Sequence, residues 1–500
     1  MKYKSTRGTV NGLSFIDAVK MGLADDGGLL VPESVPQVSQ QMLDQWRSQS
    51  FQEISFNILS MYIDRSEIPE NDLRDLVNRS YATFSNDAVT PLKRLDENNN
   101  TFILELFHGP TFSFKDVALQ FLGNLFEYIL KRDNERLSVV VATSGDTGSA
   151  AIHGLKGREN INLFVLYPAG RISAVQELQM TTVLDHNVHP LCISDCTFDD
   201  CQSAVKTIMS DLTFKKAHNL GAVNSINWAR ILAQMVYYFY AYFRVQDILG
   251  EGKSVTFSVP TGNFGDILAG FYARKMGLPV NNLIVSTNQN DILYRFFSTG
   301  EYSKPNTVIP TVAPAMDINV ASNFERYLYY LCKEDPAQLV NLMHTFNTTG
   351  RFSMSREQMN SVSVNDGFVS SSVGHQEILD TIAEYHKQLN YLMDPHTAVG
   401  VAGAKAHGLC TLTNYANLSR PADALVCLST AHPAKFGDTV KEATKGQVDI
   451  ENQFEPTKQL LQQQSTTSKL NKIDLKLDVN QIRDYVSSQL GAKCCNNTHP

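Results

Sequence analysis

Hydrophobic positions along the chain fall into blocks of different period. Over roughly the first ninety residues the blocks are short. Phe51 to Tyr62 carries apolar residues at helical spacing, and Asp25-Asp26-Gly27-Gly28-Leu29-Leu30-Val31-Pro32 reads as a turn. Near Thr101 the pattern changes. Phe102 to Leu106 reads as a strand, and His108-Gly109-Pro110-Thr111 as the loop after it. Val117, Ala118, Phe121, Leu122, Leu125, Phe126, Ile129 and Leu130 then mark one apolar stripe on a long helix. Leu137 to Thr143, Asn162 to Tyr167 and Val188 to Ile193 follow as continuous apolar runs. Ser144-Gly145-Asp146-Thr147-Gly148 links the first of them to a small-residue helix start at Ser149-Ala150-Ala151.

The plan repeats beyond an aromatic-rich helix around Tyr237. Ser254 to Pro260 is a strand, Thr261-Gly262-Asn263-Phe264-Gly265-Asp266 a turn, and Ile267 to Phe271 opens a helix. Ala424 to Leu428 is a buried strand ending in Ser429-Thr430-Ala431-His432-Pro433. Apolar strands alternating with helices indicate α/β architecture, with mostly parallel sheet covered on both faces. Two similarly built lobes are expected, preceded by a helical region. The segments are 1–90 (helical), 91–450 (two-lobed catalytic) and 451–500 (peripheral helices).

Composition narrows the class. The 500 residues, against the ~150 of a typical domain, imply two or three structural units. With 43% hydrophobic and 19% charged residues, the chain is neither collagen-like nor wholly disordered. The net charge of −8 argues against broad nucleic-acid or anionic-membrane binding, though one pocket can still be locally positive. Eight cysteines without a Cys-x-x-Cys pair make no disulfide framework. Met1 to Gly8 lacks a signal-peptide core. The longest apolar stretch, Ile231 to Phe243, is broken by Gln234 and falls short of the ~20 residues of a membrane span. A cytoplasmic protein is the expectation.

Four places could do chemistry. In Thr261 to Asp266, Gly262 and Gly265 allow close backbone approach and positive φ, and the free amides of the next helix point at an anion. A phosphate cradle and a plain tight turn both fit. Ser144 to Gly148 has the same build, with side-chain donors suited to a carboxylate or phosphate; a helix cap fits equally. Lys115 sits between Phe112, Phe114 and the apolar stripe. Desolvation and a helix start disfavour its ammonium form, leaving a usable nucleophile, unless Asp116 faces the same way. A surface lysine is the ordinary alternative. Finally, His186, His189, Cys192, Cys196 and Cys201 lack zinc spacing, so no metal is expected there. The aromatic run Tyr237 to Phe243 lacks basic interleaving and reads as core or interface.

Taken together, His108 to Asp116, Ala142 to Ala150, Pro260 to Asp266 and Leu428 to Phe436 resemble the threonine synthase family. That family belongs with the pyridoxal-phosphate enzymes of tryptophan-synthase-β type, also called fold type II. Asp26 to Leu29 and Asp394-Pro395-His396-Thr397-Ala398-Val399-Gly400 also resemble it, particularly its longer fungal form. The resemblance runs from about Tyr3 to about Phe436.

It implies pyridoxal 5'-phosphate held as a Schiff base on Lys115 and cradled by Gly262, Asn263, Phe264, Gly265 and Asp266. Thr430 would face the ring nitrogen. Ser144 and Thr147 would lie near the substrate's carboxylate or phosphate. The implied reaction turns O-phospho-L-homoserine and water into L-threonine and phosphate, by γ-elimination and β-addition, with Lys115 moving the proton at Cα. A related phospho-lyase giving 2-oxobutyrate and a non-catalytic phosphate- or nucleotide-binding α/β protein are the alternatives. Arg171, Arg230 and Lys435 are candidates for the substrate phosphate by charge alone.

Overall fold

In a computed structural model, all residues are described except 97–99, 222, 409–423, 467–469 and 495–500. The chain divides into two compact units. One comprises Met1–Ala118 with Ser225–Glu451, the other Leu119–Asn224 with Asn452–Pro500.

The first unit begins with short helices at Phe15–Met21, Gln40–Trp46, Phe51–Tyr62 and Glu70–Tyr81. Phe51–Tyr62 starts where expected because Ser50 and Glu53 form a reciprocal capping box that satisfies two orphan amides. One expectation is corrected here. Leu30–Pro32 is not turn but a fully buried strand, paired antiparallel with Tyr3–Ser5; only the polar residues before it make the turn.

At the centre of this unit is a six-stranded sheet. Its order is Phe368–Ser372, Val280–Thr287, Val255–Pro260, Ala424–Ser429, Thr101–Glu105, Leu92–Asp96. Every neighbouring pair is parallel except the last, which is antiparallel. All residues of Val255–Pro260 and Ala424–Ser429 are buried, as strands covered on both faces require. Helix Pro395–Ala406 packs against these two strands and Val280–Thr287. Helix Trp228–Leu249 is apolar almost all round because it is interior: it packs between Phe51–Tyr62 and Gly265–Lys275. The aromatic run is therefore core, with Tyr240 edge-on to Phe51 and Phe239 near Trp46.

The second unit holds a five-stranded, all-parallel sheet. Its order is Ile473–Lys476, Val188–Ser194, Ile161–Pro168, Leu137–Ala142, Leu220–Gly221. Beyond residue 451, helices Glu455–Thr466 and Val479–Cys494 appear, but Ile473–Lys476 is an edge strand rather than helix. The reason is its alternation of half-buried and exposed residues, Ile-Asp-Leu-Lys, which suits a sheet edge. Residues 467–469 and 495–500 of that expected helical tail lie outside the described residues. His189 stacks on Phe164 and bonds Tyr485 at 3.2 Å, while His186 is exposed, so the His/Cys cluster is packing. Among the described residues no helix is long and apolar enough to cross a membrane.

Candidate functional site

Three adjacent parallel strands deliver the expected site residues to one edge of the first unit's sheet. Val255–Pro260 runs into the 261–266 turn, Ala424–Ser429 into Thr430, and Thr101–Glu105 into the loop that ends at Lys115. Thr430 thus follows the middle strand. The cradle and lysine strands flank it, about 10 Å apart at two strand spacings, a span a phosphorylated ring can bridge. Carboxyl ends of parallel strands are where open α/β sheets bind ligands.

Lys115 opens helix Lys115–Asp133 and is 9% exposed, with Nζ 5.0 Å from the Phe114 ring centre. The loop before it is tied down from both sides. Phe114 N–H donates to the Thr430 carbonyl at 2.8 Å and His432 N–H to the Phe112 carbonyl at 3.0 Å. Buried Lys435 donates to the Thr111 carbonyl at 2.7 Å. Asp116 turns back into this loop, accepting from Thr111 N–H at 2.8 Å and the Thr111 hydroxyl at 2.7 Å. Burial pushes its carboxyl up to about 6 against the pull of Thr111 and Lys435. Of the three basic candidates, Lys435 is thus engaged with the loop, Arg230 is buried in helix Trp228–Leu249, and Arg171 is exposed in the second unit.

In the cradle, close approach is where glycine matters. A Cβ on Gly262 would lie 2.8 Å from the Ala315 carbonyl oxygen, so only glycine fits. The expected positive φ is not at Gly262 or Gly265, however. Phe264 takes it, at φ 62 and ψ 12. Aromatic packing outweighs the strain: its ring is buried among Phe297, Phe324, Tyr327 and Phe368, all within 6 Å centre to centre. Left-handed backbone costs about 1–2 kcal/mol, whereas deleting a buried phenyl ring costs about 3–5. Phe264→Gly is therefore expected to destabilise the chain by about 2–3 kcal/mol in a urea denaturation series.

Helix Gly265–Lys275 has no side-chain cap, so its first amides are left for an anion. Asp266, the acid in that first turn, is turned away. Its Oδ1 accepts from the Tyr237 and Tyr238 hydroxyls at 2.6 and 2.8 Å, and its buried Oδ2 has no partner among the described residues. Burial pushes this carboxyl up to about 6, against both tyrosines. The folded chain therefore favours protonated Asp266 over its ionised form. Asp266 subtracts stability as pH rises from about 4 through 6. Asp266→Asn should become progressively more stable relative to the parent over that window, with a flat difference above it, as denaturation at several pH values would measure. Asn263 is held by Ser322 through its Oδ1 and by Asn323, whose backbone and side-chain N–H groups donate to its carbonyl at 3.1 and 3.2 Å.

Ser144 and Thr147 belong to the second unit. There the helix begins at Asp146, three residues earlier than expected, because Thr143 supplies the cap: its hydroxyl accepts from Gly145 and Gly148 N–H. Gly145 has φ 120, and a Cβ there would strike Gln176, whose amide donates to Asp146 at 2.8 Å. Both Ser144 and Thr147 are half-buried.

Sequence reasoning missed two further groups beside the lysine loop. Glu105 is buried but bonded to His108 at 2.9 Å and Lys93 at 2.7 Å, which hold its carboxyl below the usual range despite burial. Burial pushes the His432 imidazole down to about 4, and its Nδ1 accepts from Ala434 N–H, so it is neutral. Glu105 ends the strand before the His108 to Asp116 motif and His432 lies within the Leu428 to Phe436 motif, but the partners of each are visible only in space.

A lysine, a neutral hydroxyl and an uncapped helix start on adjacent strands fit the groups of pyridoxal phosphate. The comparisons agree. Residues 2–81 match the family described as threonine synthase N terminus, 85–358 pyridoxal-phosphate dependent enzyme, and 397–486 threonine synthase, C-terminal. A threonine synthase of Saccharomyces cerevisiae is 45% identical, covering 98% of each chain. The crystal structure of threonine synthase from yeast superposes with a TM-score of 0.90 at 44% identity, covering 98% of this chain and 99% of that one. A pyridoxal-phosphate-bound threonine synthase from Brucella melitensis gives 0.88 at 40% identity, with the same coverage. The chain belongs to the threonine synthase family of pyridoxal-phosphate-dependent enzymes.

Proposed function

We infer that this chain converts O-phospho-L-homoserine and water into L-threonine and phosphate, as a step of threonine biosynthesis. The observation that carries the reading is the delivery of Lys115, Thr430 and the uncapped Gly265 helix start to one edge of three neighbouring strands. When bound, pyridoxal phosphate supplies an electron sink for the carbon bearing the amino group.

The chain's own residues do the rest. Amides of Gly262, Asn263, Phe264, Gly265 and Asp266 would hold the cofactor's phosphate, with the helix dipole in favour. The Thr430 hydroxyl would meet the ring nitrogen as a neutral partner, which cannot hold a full positive charge there as a carboxylate would. Lys115 Nζ would carry the cofactor, then take the Cα proton from the substrate and return it at the end. Between those events a Cβ proton is lost, the γ-phosphate departs, a proton is added at Cγ and water adds at Cβ. Ser144 and Thr147, at the start of helix Asp146–Leu155, would hold the substrate's carboxylate or phosphate.

All these residues fall within 91–450, which supports that stretch as the catalytic part, with 1–90 and 451–500 as structural additions. A cytoplasmic role goes with this reading, and the acidic balance supports a chain without broad nucleic-acid or anionic-membrane binding. The test is product analysis after incubation with O-phosphohomoserine. Threonine and phosphate in equal amounts are expected. 2-Oxobutyrate with ammonia would make the chain the related phospho-lyase, and a colourless protein without turnover would make it a binding protein only.

A further inference from the structure

The Asp394 to Gly400 segment stands out in the sequence, yet none of it has a role in the reading above. Asp394, His396 and Thr397 are all buried at the start of helix Pro395–Ala406. Asp394 caps that helix, accepting from the backbone N–H of His396 at 2.9 Å and of Thr397 at 3.3 Å. Capping needs no more than this, but both carboxylate oxygens are also bound to side chains. Oδ1 meets His396 Nδ1 at 2.8 Å, and Oδ2 accepts a short hydrogen bond from the Thr397 hydroxyl.

Each of these side chains reaches a different end of the candidate site. His396 Nε2 accepts from Ala315 N–H at 3.2 Å, so with Nδ1 donating to Asp394 the ring is the neutral Nδ1–H tautomer. Ala315 is the residue whose carbonyl lies against Gly262 in the cradle. The Thr397 hydroxyl spends its one proton on Asp394. Its oxygen therefore accepts from Thr430 N–H at 3.3 Å and from the Ser429 hydroxyl at 3.0 Å. The Thr430 carbonyl in turn receives Phe114 N–H, one residue before Lys115.

We propose that Asp394, His396 and Thr397 act as positioning residues that couple the phosphate cradle at Gly262 to the hydroxyl at Thr430, fixing both ends of the cofactor from one buried carboxylate. The inference rests on the site reading of Gly262 and Thr430 given above. Buried networks of this kind are high-stakes, because each unmet partner costs the full desolvation of a polar group.

Three variants of the full-length holoenzyme separate positioning from mere support. Asn caps helices as well as Asp does, so Asp394→Asn keeps a capping oxygen but replaces one of the two carboxylate acceptors with an amide donor, leaving only one of the two side chains with an acceptor. Thr397→Val removes the relay at constant shape, and Thr397→Ser restores the hydroxyl. The readouts are cofactor release on dilution, the visible absorbance of bound cofactor and the thermal midpoint. We expect D394N and T397V to weaken cofactor retention about tenfold, the equivalent of one buried hydrogen bond. Both should shift the visible band, with T397S close to the parent. Loss of thermal stability with parental retention and an unshifted band would overturn the proposal and leave Asp394 a helix cap. Gly262→Val serves as the control: if it too leaves retention unchanged, the cradle reading fails and the inference falls with it.

Discussion

Lys115→Ala is expected to lower turnover of O-phosphohomoserine by about 10³-fold or more, the range lost when a positioned proton carrier is removed. The fold should survive. Alanine is the best helix former, Lys115 is the first residue of its helix, and the loop before it is held by Thr430, His432 and Lys435. Lys115→Arg should fail as badly, because a guanidinium stays charged and cannot act as a nucleophilic amine. Steady-state kinetics with a parallel thermal melt check both statements. A variant that unfolds, or one that turns over at the parental rate, would contradict them.

Arg326→Ala is expected to cost about 3–5 kcal/mol of stability, through stranded partners and a cavity. Arg326 is fully buried, and burial pulls its guanidinium down to about 10. It spends its donors on three separate segments: Leu30 carbonyl at 3.0 Å, Ile226 carbonyl at 2.6 Å and Asn323 Oδ1 at 2.6 Å. Taking a charge out of water is unfavourable, so removing it returns some energy. The stranded acceptors and the cavity outweigh that return, because two of the three acceptors, on Leu30 and Asn323, lie on fully buried residues. Asn323 also holds the Asn263 carbonyl, so cofactor retention should fall together with stability. Arg326→Lys should recover only part, since one ammonium cannot span the fork. Equilibrium denaturation of the three proteins measures the order parent, Lys, Ala.

Much of this was legible in the sequence because the informative signals are local. A capping box and apolar period set the ends of Phe51–Tyr62, and continuous apolar runs set the central strands. The order of those strands was not legible. That Ala424–Ser429 lies between Val255–Pro260 and Thr101–Glu105 depends on pairings hundreds of residues apart, which no window of sequence contains. Leu30–Pro32 was hidden by the glycines and aspartates before it, and Ile473–Lys476 by charged residues that a sheet edge tolerates. The positive φ at Phe264 defied a glycine-based expectation because its cause is tertiary, a nest of four aromatic rings from three other elements. Likewise the chemistry of Lys115 could be argued from its neighbours, whereas the restraint of Asp116 by Thr111 appears only in space.

The most direct measurement is borohydride reduction of the holoenzyme followed by peptide mass mapping. Reduction fixes the cofactor to whichever amine carries it. The account predicts one adduct, on the peptide containing Lys115, with loss of the visible absorbance. An adduct on any other lysine, or none in a protein that still makes threonine, would contradict it.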